Sequence, residues 1–259
     1  MHYAWEVLAD GVHRCRLPFL DVTVGLVVGS AAVLLIDCGT TLSEAERLAG
    51  DVVELTGRPV SDVVLTHHHF DHILGSAGFP EARLHCAEPV MVALTRGITT
   101  VRDHAVSYGA DRGEIDRTVA RLRAPDHTVA RLRAPDRTVA RLWAPDRTVC
   151  CTRIDLGDRV VHIDHPGRGH TDHDLAVVVP PRGPGDRPVV FCGDLVEESA
   201  DPAVDEGSDL AAWPAAIERL LQWGGSDGVY VPGHGAVVDA GFLAGQRDWL
   251  RRAGAEKGL

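Results

Sequence analysis

One segment constrains this chain more than any other: Thr66-His67-His68-His69-Phe70-Asp71-His72. It follows an apolar run, Val60 to Leu65, that reads as a short buried strand. Read back from Asp71-His72, it spells His-x-His-x-Asp-His. Five metal-competent side chains, His67, His68, His69, Asp71 and His72, fall within six residues. No packed core needs that many imidazoles in a row. Borderline metals such as zinc do, because neutral imidazole and carboxylate are their usual ligands outside thiolate sites. Three more candidates stand downstream, each in a glycine-containing loop after an apolar run. They are His170 in Pro166-Gly-Arg-Gly-His, Asp194 in Phe191-Cys-Gly-Asp and His234 in Val231-Pro-Gly-His.

The surrounding pattern is α/β. Tyr3 to Leu8, Val12 to Leu17, Val22 to Val28 and Ala32 to Ile36 read as strands separated by Asp-Gly, Pro and Gly-Ser breakers. A helix is expected to about Thr56, capped by Ser43 with Glu46 as the capping-box partner. Another is expected from near His72. Ala82 to Cys86 reads as a strand and Glu88 to Thr95 as a helix. In the second half, Arg159 to Ile163, Leu175 to Val179, Val189 to Cys192 and Gly228 to Val231 read as strands. Leu210 to Trp223 and Ala240 to Arg252 read as helices. Every candidate ligand is expected just after a strand end, where loops can converge on one rim.

These four clusters, in this order, resemble the metallo-β-lactamase-fold hydrolase superfamily, over roughly Trp5 to Trp249. The resemblance implies a four-layer αββα sandwich, read as a single domain over 1–259. It implies that His67, His69 and His170 form a first metal site and that Asp71, His72 and His234 form a second. Asp194 would bridge the two, and Asp37, at the end of Val33-Leu34-Leu35-Ile36, would lie beneath them. The cofactors expected are two zinc ions, with iron or manganese also compatible with such ligands. The activity implied is hydrolysis of a small-molecule ester, thioester or lactone by a metal-bridging hydroxide, with Asp71 as the catalytic residue that orients the nucleophile. True metallo-β-lactamases usually carry cysteine or serine where Asp194 stands, which argues against antibiotic hydrolysis. Two other readings stay open: a mononuclear iron persulfide dioxygenase using His67, His170 and Asp194, and a non-catalytic binding protein on the same fold.

Other histidines have blander expectations. His68 should point away from the metals, and His165 and the pair Asp172-His173 could hydrogen-bond around His170. His2, His13, His85, His104, His127 and His162 read as surface or core residues. Cys192 is a ligand candidate by position only. The six cysteines form no Cys-x-x-Cys pair, and a chain of this size needs no disulfide framework.

The formal net charge of -11 disfavours nucleic acid as a partner. No apolar run is long enough to span a membrane, and the first residues lack a signal-peptide pattern, so a cytoplasmic protein acting on a small molecule is expected. One segment stands apart, an insertion at about 117–149. Arg117 to Asp126, His127 to Asp136 and Arg137 to Asp146 repeat one decapeptide, and Arg147-Thr-Val begins a fourth copy. A period of ten is too short for the repeats that build folds. The copies read either as a tolerated loop expansion or as a basic flap or arm.

Overall fold

The computed structural model describes residues 1–128 and 152–256. The chain divides into two compact units, Met1–Val129 with Asp155–Arg159, and Ala130–Ile154 with Val160–Leu259.

The first unit is built on a mixed sheet whose strands lie in chain order. They are β1 (Glu6–Ala9), β2 (Val12–Arg16), β3 (Thr23–Val28), β4 (Val33–Ile36), β5 (Asp62–Val64), β6 (Arg83–Cys86) and β7 (His127–Thr128). β1 to β4 form an antiparallel meander, and β4 to β7 run parallel. Parallel neighbours need crossovers, and the helices supply them. α1 (Leu42–Thr56) crosses from β4 to β5, and α2 (Phe70–Ile73) with a 3-10 turn (Leu74–Gly78) leads toward β6. α3 (Glu88–Thr95), α4 (Ile98–Ser107) and α5 (Arg112–Val119) precede β7. β3 to β6 are buried almost throughout, and β3 and β4 read as near-continuous apolar runs for that reason.

The capping box of α1 sits two residues earlier than the sequence suggested. Thr41 accepts from the Glu44 N–H at 3.1 Å, and Glu44 reaches back to the Thr41 N–H at 3.0 Å. Such a cap is worth about 0.5–2 kcal/mol. Ser43 instead donates its hydroxyl to Glu114 of α5. Gly57, at φ 70°, ends the helix in the left-handed conformation that glycine adopts without strain. α4 and most of α5 were not anticipated. Thr118, in the first decapeptide copy, is fully buried and accepts from Leu42 N at 2.9 Å. Asp126, at the end of that copy, accepts from Leu84 N at 3.0 Å. The first copy is therefore part of the fold. The second copy opens with His127 and Thr128, which form β7, and the rest of the repeat, 129–151, lies outside the described residues, with Cys150 and Cys151.

The second unit carries a five-stranded sheet in the order β12-β11-β10-β9-β8. Its strands are β8 (Thr152–Asp155), β9 (Val160–Asp164), β10 (Ala176–Val179), β11 (Val189–Glu197) and β12 (Val229–His234). β11 pairs parallel with β12 and antiparallel with β10. α6 (Trp213–Gly224) and α7 (Ala240–Glu256) complete it. α6 buries Trp213, Ala216, Ile217, Leu220 and Trp223, an i, i+3, i+4, i+7, i+10 stripe, against Val178, Val190 and Tyr230 of the sheet. Truncating fully buried Leu220 to alanine should cost about 2–5 kcal/mol. Among the described residues no helix is long and apolar enough to cross a membrane.

Candidate metal centre

The first unit delivers its histidines from the end of β5. Asp37, just past β4 with φ 57°, is the keystone. Its Oδ1 accepts from Thr66 N at 2.8 Å, and its Oδ2 accepts from Thr66 Oγ1 and from His72 Nδ1, each at 2.8 Å. The Thr66 hydroxyl spends its proton on Asp37, so its oxygen accepts from His67 Nδ1, 3.0 Å away. Both histidines are thereby held with Nδ1 protonated and Nε2 as the atom that can ligate. His67 and His72 are fully buried with ring centroids 4.3 Å apart. Two imidazolium ions at that spacing would repel strongly, so the arrangement suits neutral rings. His67 Nε2 faces His69 Nδ1 at 3.1 Å, and Asp71 Oδ2 lies 3.7 Å from His72 Nε2. His68 meets the His69 ring at 4.7 Å, tilted by 52°.

The second unit assembles His170, Asp194 and His234. His170 Nδ1 donates to the Ala203 carbonyl at 3.1 Å, leaving Nε2 as the ligating atom. That Nε2 lies 3.5 Å from Asp194 Oδ2, and His234 Nε2 lies 3.4 Å from the same oxygen. Asp194 and His234 are not in loops beyond the strands, as the glycines had suggested. They lie within β11 and at the end of β12, where the ladder slips register twice between Phe191 and Glu197. Gly233 makes this possible: a Cβ there would sit 1.8 Å from Asp194 Oδ1.

Helix α6 braces the same residues. The Trp213 ring packs on His170 at 5.8 Å, and its indole N–H donates to the Leu195 carbonyl at 3.0 Å. Gln246 of α7 donates to that same carbonyl at 2.7 Å. A carbonyl held by two donors fixes the backbone next to Asp194. Glu198 accepts from Ala236 N at 2.6 Å and secures the turn after His234. None of Ala203, Trp213, Gln246 or Glu198 was singled out by its sequence, since each acts through contacts remote in the chain; Thr66 stood in the histidine segment, but its bond to Asp37 is remote as well.

The remaining candidates fall into place. His165 donates from Nδ1 to the Asp174 carbonyl at 2.8 Å, and His173 pairs with Asp172 at 2.7 Å. It is Asp174 that ties down the residue after His170, accepting from Thr171 N and Oγ1 at 2.8 and 2.7 Å. Cys192 is fully buried, its thiol pushed up by burial and directed at the Val190 carbonyl. His85 pairs with Asp62 at 2.8 Å, a structural role.

The donor set fits a borderline divalent metal: buried neutral imidazoles and carboxylates, with the rear nitrogens of His67, His72 and His170 already engaged. Comparison with known proteins agrees. The sequence profile of the metallo-beta-lactamase superfamily matches residues 17–234. The chain belongs to that superfamily and has its αββα sandwich fold. It is 24% identical over 234 residues to the metallo-beta-lactamase type 2 of Bacillus cereus, covering 88% of this chain and 72% of that one. Among solved structures, a metallo-beta-lactamase from Pontibacter korlensis superposes with a TM-score of 0.66 at 21% identity, covering 96% of this chain and 99% of that one. The FIM-1 metallo-beta-lactamase from Pseudomonas aeruginosa, in a mono-zinc form, gives 0.67 at 16% identity, covering 98% and 96%.

Proposed function

We propose that this chain is a dinuclear zinc hydrolase acting on an activated small-molecule ester, thioester or lactone. His67, His69 and His170 would hold one ion, Asp71, His72 and His234 the other, and Asp194 both. The observation that carries this reading is the preset ligation state of the histidines. Asp37, Thr66 and the Ala203 carbonyl occupy one ring nitrogen of His72, His67 and His170, and so direct the other forward. The contacts within each unit support it: His67 with His69 and Asp71 with His72 in the first, Asp194 with His170 and His234 in the second.

Zinc in such a site supplies Lewis-acid polarisation and a water-derived nucleophile at neutral pH. The protein's part is orientation. Asp71, nearly buried, offers a carboxylate that accepts a proton from the attacking water and aims its lone pair at the carbonyl carbon. Asp194 would offset the charge of the ions held beside it. No serine or cysteine nucleophile is required.

The test is a substrate screen with the zinc-loaded protein over lactones, thioesters, phosphodiesters and a β-lactam, repeated on two variants. Asp71→Ala should stay folded and lose at least about 100-fold in turnover, the low end for a proton-transfer group. His68→Ala should change turnover by less than about tenfold. Equal collapse of both would mean that the register of the histidine run is misread. A β-lactam substrate is the second reading, favoured by the Bacillus cereus relative's activity as its name gives it. The aspartate at 194 argues for the first.

A further inference from the structure

We propose that His104 and Tyr108 form a recognition wall for a flat apolar group, an aryl ring, on the substrate. The proposal rests on the reading of His69 as a metal ligand. The two residues lie four apart at the end of α4, so they stack on one face of the chain. Their rings meet edge to face, with centroids 4.9 Å apart at 86°. Buried Phe70 backs both, at 5.3 Å from His104 and 5.4 Å from Tyr108. The far edge of the cluster reaches the catalytic motif, because His104 meets the His69 ring at 6.3 Å and 79°.

Three features separate this face from an ordinary exposed aromatic. First, it is rigid. α4 is anchored by buried Val101 and Ala105, and the Phe70 contacts restrict the ring torsions, so little rotamer entropy remains to be lost on binding. Second, it is open. Tyr108 is 57% exposed and His104 is exposed, although both already sit on apolar support. Third, it is placed. Phe70 belongs to the His-x-His-x-Asp-His segment itself, so the apolar surface begins one ring away from a proposed metal ligand. A substrate whose carbonyl reaches the metals would bring an attached aryl group against this wall, where edge-to-face and offset packing favour aromatic over small aliphatic groups.

The experiment uses the full-length chain with its zinc content measured first. Acetate and phenylacetate serve as probes, the carboxylate common to both and the ring present in one. Calorimetric titration should give phenylacetate an advantage of about tenfold. Tyr108→Ala and His104→Ala should each reduce that advantage to less than about threefold, with acetate affinity and zinc content unchanged. Equal binding of the two probes to the wild-type chain overturns the proposal, as does binding of neither, or an aryl preference that survives both substitutions. Those outcomes leave the hydrolase reading standing in a zinc-bearing chain. A chain that takes up no zinc overturns both.

Discussion

Asp37 accepts the Nδ1–H of His72 at 2.8 Å from a backbone held at φ 57°, a conformation that aspartate and asparagine tolerate better than other side chains. The same carboxylate takes the Thr66 hydroxyl, which in turn faces His67. One residue therefore orients histidines assigned to two different metal ions. Asp37→Asn keeps the shape and the φ but removes one acceptor. Zinc affinity, measured by competition with a chromophoric chelator, should fall by about 10–100-fold with the fold retained. Unchanged affinity would remove Asp37 from this role.

Gly233 lies against the proposed bridging carboxylate. An added Cβ would meet Asp194 Oδ1 at 1.8 Å and the Gly193 backbone at 2.9 Å, so Gly233→Ala must push Asp194 aside. Loss of zinc uptake without loss of secondary structure is the expected outcome. Gly245→Ala, on α7 with nothing within 4 Å of the new Cβ, is the control. It should keep its zinc and gain about 0.5–1 kcal/mol from helix propensity. Equal behaviour of the two variants in metal analysis would refute the steric account.

The decapeptide copies divide by role. Thr118 and Asp126 of the first copy hold α1 and β6, so deleting that copy should destabilise the fold. Excising His127 to Asp146 joins Asp126 to Arg147-Thr148-Val149, which restores an x-Thr-Val sequence after the same aspartate. The shortened chain should fold, load its metal and change in activity by no more than a few fold. A KM rise above about tenfold on an anionic substrate, with kcat and metal retained, would instead favour a basic flap.

Asp164 gives a pH test away from the proposed ligands. Burial pushes its carboxyl from 3.8 up to about 6, against a partly compensating hydrogen bond from the His165 N–H. The unfolded chain thus ionises first. Native stability from this group is fully present below about pH 4 and is lost as pH rises through about 6. Asp164→Asn cannot ionise and can still accept from His165 N. Its melting temperature should exceed that of the parent above pH 6, with the difference shrinking toward pH 4. A difference independent of pH would show that Asp164 is not the titrating group.

Much of this was legible in the sequence, for physical reasons. The ligand-rich segments declared themselves because imidazoles and carboxylates clustered after apolar strands have few structural uses. Most strands were readable because two-sided burial makes them continuous apolar runs. Helix α4 was missed because Gly97 gives it no side-chain cap and Ile98–Ser107 carries only a thin apolar stripe, Val101 and Ala105. The Ser43 cap was misplaced because Thr41 and Ser43 are both good caps locally, and only the contact with Glu114 on α5 decides between them. Asp51 lies inside helix α1 and carries no sequence signal of its own. It is fully buried, because the His2 and Tyr3 N–H groups and the Trp5 indole converge on it across the chain. Trp213 falls within a helix the sequence shows, but its burial and its indole bond to the strand beside Asp194 do not show there. For Ser43, Asp51 and Trp213 the missing information was a partner distant in sequence.

The central claim is that seven side chains hold two ions, and metal content tests it most directly. Elemental analysis of protein purified without added metal and then equilibrated with zinc should find close to two zinc ions per chain. His67→Ala and His234→Ala should each reduce that number. One tightly held iron per chain, or zinc uptake indifferent to both substitutions, would contradict the account.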